Sequence, residues 1–320
     1  MCDDGREPAK RKRILVLGSL NIDLVQRVPR IPKPGETLKG DSLQIYAGGK
    51  GANQACAAAL LGGNAALAGM LGKDVFAHRL MDELERAGVD TAAVATADSA
   101  SGSATILVLP SGENSIVISP GANAAVSVSF ALDMTQHLEA GDFLLCQLET
   151  PIASVAAAME AAHAKGVVTI LDPAPAHDLP DALFRSTSIL TPNQTEAGFL
   201  ISSAESIETM QDAARAARQL QARGAEMVIV KMGALGCLFA NGPDVAEIPG
   251  LCVQAVDTTA AGDTFNAALA VALAEGSSTL EAIRFANAAA ALSVTRPGAI
   301  SSMPLRSDVE RFLASAQSRS

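Results

Sequence analysis

Short apolar runs and longer helical windows alternate along most of the chain. Ile14–Leu17, Phe143–Leu148, Val167–Leu171 and Met227–Val230 are short, apolar and bounded by turn residues, the pattern of strands buried on both faces. Ala52–Leu61, Ile152–Ala164, Asp212–Ala222, Asp263–Ala274 and Leu280–Val294 read as helices. This alternation predicts an α/β fold, a Rossmann-like three-layer sandwich with a central, mostly parallel sheet covered by helices on both faces.

Two segments break the alternation. Val25 to Tyr46 holds Pro29, Pro32, Pro34 and Gly35 and ends in the alternating Leu43-Gln44-Ile45-Tyr46, so it is turn-rich and β-like. Ser103 to Ser119 reads as a hairpin, with Ala104–Val108 and Ser115–Ile118 flanking Pro110-Ser111-Gly112-Glu113-Asn114. Together they predict a small β-sheet lid, from about 22–47 and 102–120, placed to cover a ligand or to pair with another subunit. The expected organisation is a flexible polar tail over residues 1–12 and a single catalytic domain over 13–320.

Composition narrows the function classes. Of 320 residues 49% are hydrophobic, yet no run reaches the roughly 18 apolar residues of a membrane span. Met1–Arg13 lacks the apolar core of a signal peptide. Its basic run Lys10–Arg13 reads as a solvated flank or a nuclear address, and the terminal Ser318-Arg319-Ser320 departs at two positions from a Ser-Lys-Leu peroxisomal address. A net charge of -10 argues against a nucleic-acid partner, so an anionic ligand such as ATP has to be held locally. The 5 cysteines, Cys2, Cys56, Cys146, Cys237 and Cys252, form no Cys-x-x-Cys pair. A reducing cytoplasm is therefore expected, without a disulfide framework or structural zinc.

Polar residues with a chemical use follow the apolar runs. Gly18-Ser19-Leu20-Asn21-Ile22-Asp23 comes after the first buried strand, and open α/β sheets bind ligands beyond the carboxyl ends of their strands. Asn21 and Asp23 share a face if the chain stays extended, a spacing suited to gripping neighbouring hydroxyls of a sugar; a turn or a helix cap accounts for them too. Ala47-Gly48-Gly49-Lys50-Gly51-Ala52-Asn53-Gln54 leads into a helix, so its glycines bring the backbone close to a ligand or make a purely structural turn. It is not a Walker A loop, because Gly51 follows Lys50, nor a dinucleotide fingerprint, because Gln54 ends the six-residue window. In Val256-Asp257-Thr258-Thr259-Ala260-Ala261-Gly262-Asp263-Thr264-Phe265 small residues precede a helix. The N–H groups of Ala260, Ala261, Gly262 and Asp263 are then free to surround an anion, and Asp263 is placed to accept the proton of an attacking hydroxyl. Taken alone, the same stretch reads as an ordinary helix cap.

Asn21-x-Asp23, Gly48–Asn53, Thr191-Pro192-Asn193-Gln194-Thr195-Glu196 and Asp257–Phe265 follow one another in this order, and together they resemble the ribokinase-like carbohydrate kinases. The resemblance runs from about Ile14 to Pro304 and includes Gln147-Leu148-Glu149, Asp172-Pro173-Ala174-Pro175-Ala176, Val253–Asp257 and Ala282–Ala286. It implies phosphorylation of D-ribose at O5 by ATP, giving D-ribose 5-phosphate and ADP. By the same resemblance Asn21, Asp23, Asn53 and Glu149 hold the sugar, Gly49, Lys50, Gly51 and Ala52 form a wall of its pocket, Asp263 is the base, and Ala260, Ala261 and Gly262 form the anion hole. Asn193 and Glu196 would organise Mg²⁺ and its waters around the ATP phosphates. The nucleotide is expected along Lys231, Met232, Gly233, Ala234, Leu235 and Gly236 and near Asn287, its phosphates by Asn193, Gly262 and Asp263. Lys231 stands where a smaller polar residue is expected, and its ammonium either reaches a phosphate or points to solvent. A K⁺ beside the anion hole would be held by Asp257, Thr259, Ser293, Arg296, Gly298 and Ser302, mostly through backbone carbonyls. The lid is expected to close over the sugar and to build a homodimer.

Three other readings compete. A sibling kinase could act on another sugar or a nucleoside, such as deoxyribose or adenosine, although Asn21, Asp23 and Glu149 favour a small polyhydroxylated ring. A non-catalytic sugar or nucleotide sensor has no need of Asp263. A dinucleotide-dependent oxidoreductase is weakened by the broken glycine fingerprint.

Overall fold

The computed structural model describes residues 11–317. In chain order its strands are β1 (Arg13–Leu17), β2 (Asn21–Arg27), β3 (Gln44–Gly48), β4 (Asn64–Leu71), β5 (Val94–Thr96), β6 (Gly102–Val108), β7 (Asn114–Ser119), β8 (Phe143–Cys146), β9 (Val168–Leu171), β10 (Ile189–Leu190), β11 (Met227–Lys231), β12 (Gly236–Asn241) and β13 (Asp244–Pro249). Nine of them form one sheet, in the order β13-β12-β11-β10-β9-β8-β1-β4-β5, and four form another, in the order β3-β2-β6-β7. Pairing in the large sheet is parallel except where β12 runs antiparallel to β11 and β13. The mostly parallel α/β architecture expected from the alternation is thus the one observed.

The large sheet is the middle layer of two apolar cores. Successive side chains of β1 point to opposite faces: Ile14 and Val16 join one core, Leu15 and Leu17 the other. Helices Lys50–Leu60, Ala261–Ala274 and Thr279–Ser293 supply Ala52, Ala55, Ala267, Ala270, Ala282 and Ala286 to the first core, where small side chains let the helices pack closely. Helices Ile152–His163 and Met210–Ala222 cover the opposite face through Val155, Met159, Ala213 and Leu220. Predicted and observed elements agree to within a few residues; β8 stops at Cys146, so Gln147, Leu148 and Glu149 lie beyond its carboxyl end.

The smaller sheet arises from the two segments that broke the alternation. β6 and β7 form the hairpin, from Ser103↔Ser119 to Val108↔Asn114, and β2 lies parallel to β6 and antiparallel to β3. Asn21 and Asp23 begin β2 in extended conformation, which decides between strand and cap. Register places Asn21 opposite Gly48 on one side and Gly102 on the other.

The polar tail expected over 1–12 falls outside the described residues except for the exposed Arg11 and Lys12, and Cys2 and Ser318–Ser320 also lie outside them. Among the described residues no helix is long and apolar enough to cross a membrane. Cys56, Cys146 and Cys237 are buried free thiols and Cys252 is an exposed one.

Candidate active site

The chain starts the large sheet at β1, extends it one way to β4 and β5 and then the other way from β8 to β13. β1 and β8 therefore flank the switch point at which open α/β sheets form a crevice. The residues following these two strands meet there. Glu149 Oε2 accepts from Ser19 Oγ at 2.5 Å, from Lys50 N at 3.1 Å and from Asn21 Nδ2 at 3.4 Å. One carboxylate oxygen thus ties together the β1–β2 loop, the β8 end and the start of helix Lys50–Leu60, whose first N–H groups need acceptors. Asn123 fixes the other side, accepting from Leu20 N at 2.9 Å and donating to Asn21 Oδ1 at 2.7 Å.

Glycine is required in this wall for steric reasons. Gly49 has φ 89°, and a Cβ there would lie 2.7 Å from Asn21 N; a Cβ on Gly51 would lie 2.5 Å from Ser19 N. The close approach leaves Asn21 buried and Asp23 half-buried beside it. Burial, with the Glu149 charge adding to it, pushes the Asp23 carboxyl up to about 6.

At the other end of the crevice helix Ala261–Ala274 begins without a side-chain cap, and its N-cap residue Ala260 is left-handed at φ 59°. Ala261 N–H bends back to Thr258 O at 3.3 Å, which leaves the Gly262 and Asp263 N–H groups as the open amides of the first turn. The Asp263 side chain is buried and held at both oxygens, by Asn53 Nδ2 on Oδ2 at 2.9 Å and by Gln54 Nε2 on Oδ1 at 3.1 Å. Burial raises its pKa to about 6. Lys50 opposes this shift and the Asp172 charge reinforces it, while the bonds from Asn53 and Gln54 pull downward.

Gln54, Gln147, Asp172, Ser19 and Asn123 were given no role from sequence. Gln54 Nε2 also donates to Asp172 Oδ2 at 3.2 Å, its Oε1 accepts from Gln147 Nε2 at 2.7 Å, and Asp172 Oδ1 accepts from Lys231 Nζ at 2.9 Å. Gln147 and Asp172 follow β8 and β9 directly, so the carboxyl-end rule that singled out Asn21 could have found them. Lys231 does not point to solvent: its side chain is 14% exposed and it pairs with Asp172. Burial works against the Lys50 charge, but Asp263, Asp172, Glu149 and Glu196 outweigh it and hold the ammonium above the ordinary lysine range.

Asn193 and Glu196 come together as a capping box on helix Gln194–Leu200, with Asn193 Nδ2 donating to Glu196 Oε1 at 2.9 Å and Asn193 N to Oε2 at 2.8 Å. Burial and the Asp172 charge raise the Glu196 pKa. Met232 is buried, Gly233–Leu235 is a single 3₁₀ turn, and Gly236 starts β12. The Cys237 thiol that follows lies beside Asn287, which brings Asn287 to this turn.

Of the six residues expected around K⁺, three are joined directly. Asp257 accepts from Thr259 N at 2.9 Å, from Thr259 Oγ1 at 2.6 Å and from Gly298 N at 2.9 Å. Burial acts to raise its pKa, yet these donors prevail and hold the carboxyl below the usual range. The Ser293 and Ser302 hydroxyls donate within their own turns, to Ala290 O and Ala299 O, and the Arg296 guanidinium reaches Asp308.

Comparison with known proteins shows the family. The model of the pfkB family carbohydrate kinases matches residues 11–306. Ribokinase of Haemophilus influenzae is 44% identical over 307 residues, 96% of this chain and 100% of that protein, and ribokinase of Bacillus subtilis is 39% identical over 95% and 100%. The structure of Arabidopsis thaliana ribokinase complexed with ribose and ATP superposes with a TM-score of 0.86 at 33% identity, covering 94% of this chain and 98% of that one. The chain belongs to the pfkB family of carbohydrate kinases.

Proposed function

We propose that this chain transfers the γ-phosphoryl group of ATP to O5 of D-ribose, giving D-ribose 5-phosphate and ADP. The observation that carries the reading is the buried Asp263 carboxylate at an uncapped helix start, held by Asn53 and Gln54 of the helix whose first N–H, from Lys50, bonds Glu149 beside Asn21. The sugar hydroxyls bond Asn21, Asp23, Asn53 and Glu149, and the backbone from Gly49 to Ala52 closes one side. With both Asp263 oxygens fixed, the carboxylate accepts the O5 proton on a remaining lone pair. O5 then bonds to the γ-phosphorus as its bond to the bridging oxygen breaks and ADP leaves. Of the expected anion hole Ala260–Gly262 the Ala261 N–H is taken by Thr258 O, so the Gly262 N–H, with that of Asp263 beside it, stabilises the charge on the phosphoryl oxygens. A base poised near 6 is ionised at neutral pH and still basic enough to be useful. ATP lies along Lys231–Gly236 and by Asn287, which sits beside Cys237 at that turn.

Mg²⁺ near Asn193 and Glu196 would neutralise the ATP phosphates. The fit rests on four carboxylates, Asp172, Glu149, Glu196 and Asp263, around Lys50, an acidic excess that a hydrated divalent cation offsets. For K⁺, Asp257 joins the Thr259 loop to Gly298 and supplies a fixed negative charge there. We assign the small sheet as a lid and as the dimer surface: every residue of β7 is exposed, with Val117 at 67%. Buried, unpaired thiols favour a cytoplasmic setting.

ADP release from Mg·ATP in K⁺ buffer, with and without D-ribose, tests the reading. Ribose is expected to drive the release and Asp263→Ala to lower kcat by at least about 100-fold. Ribose without effect, with another sugar or a nucleoside active, would transfer the reading to a sibling kinase.

A further inference from the structure

Lys231 is the last residue of β11, and three relationships fix its place. Its N–H donates to Pro192 O at 2.8 Å and its backbone bridges to Asn193, which sets it against the Asn193–Glu196 cap. Its Nζ lies 2.9 Å from Asp172 Oδ1. The same nitrogen stands over the start of helix Ala261–Ala274, since a Cβ added to Gly262 would lie only 3.2 Å from it. The ammonium therefore lies between the buried Asp172 carboxylate and the first turn of that helix at Gly262.

We propose that Lys231 binds the transferable phosphoryl group of a nucleoside triphosphate, and that its ion pair with Asp172 holds the ammonium beside Gly262 before that group arrives. This deepens the kinase reading and rests on it. Asp172 cannot follow an incoming anion, because Gln54 holds its other oxygen at 3.2 Å. An ammonium has three donors, so one stays on Asp172 while another takes a phosphoryl oxygen. No proton moves and no covalent bond changes. A diphosphate lacks the group that reaches Gly262, so the contact belongs to the triphosphate alone.

Titration calorimetry with Mg²⁺ and two probes, ADP and an ATP analogue with a methylene bridge between the β and γ phosphorus atoms, tests this. In Lys231→Met the analogue is expected to bind about 10- to 100-fold more weakly, the scale of a lost hydrogen bond to a charged group, while ADP changes by less than about threefold. Because Lys231→Met leaves Asp172 buried and unpaired, the double variant Lys231→Met/Asp172→Asn is measured beside it and is expected to show the same selective loss. Equal losses for both probes, or no loss for either, would overturn the proposal. The readout needs neither sugar nor turnover: inert ribose would refute only the substrate, whereas wild-type protein that binds neither probe would refute the kinase reading together with this inference.

Discussion

Asn53 Nδ2 donates to Asp263 Oδ2 at 2.9 Å, while Oδ1 of the same amide is buried with no partner among the described residues. On the proposed reading one end aims the base and the other is an acceptor suited to a sugar hydroxyl. Asn53→Ala is expected to lower kcat/KM for ribose by about 10- to 100-fold, with both kcat and KM affected. Steady-state rates check this; a change confined to KM would show that the amide does not position Asp263.

Acid should inactivate the protein through two carboxyls. Asp263 and Asp23 both stand at about 6, raised first by burial, and each works ionised, so each is lost as pH falls through that value. The plot of log kcat/KM against pH is expected to be level above about pH 7 and to approach a slope of two below about pH 5.5. In Asp23→Asn the limiting slope becomes one, on a lower plateau. A profile that stays level to about pH 5 would contradict both assignments.

Asp257, in the loop before the proposed anion hole, accepts from Thr259 N and from Gly298 N and so ties these two together. Asp257→Ala is expected to lower activity by about tenfold or more and to abolish any difference between K⁺ and tetramethylammonium buffers. Wild-type protein with equal turnover in the two buffers would remove K⁺ from the mechanism.

Ile116, Val117 and Ile118 on β7 are each at least half exposed. Sedimentation at micromolar concentration is expected to show a dimer for the wild type and a monomer for Val117→Asp, since a charge on a covered apolar face opposes association. A monomeric wild type would refute the assignment of this sheet as an interface.

Local patterning made the frame legible. β1, β8, β9 and β11 are apolar on both faces, which marks buried parallel strands. β10 escaped notice because two residues, Ile189 and Leu190, carry no period, and the β12–β13 reversal has no helix to announce it. At the site, Asn21, Asp23, Asn53 and Asp263 stood out through motif and position. The Asp172–Lys231 pair joins residues 59 apart, and Gln54 donates to two carboxylates at the ends of different elements. Such partnerships depend on how the sheet is ordered, which no local window encodes.

Asn53 and Asp263 are 210 residues apart in the chain. On the proposed reading the sugar-binding loop is therefore made well before the base, and a chain cut short before Asp263 holds the amide without the carboxylate it aims.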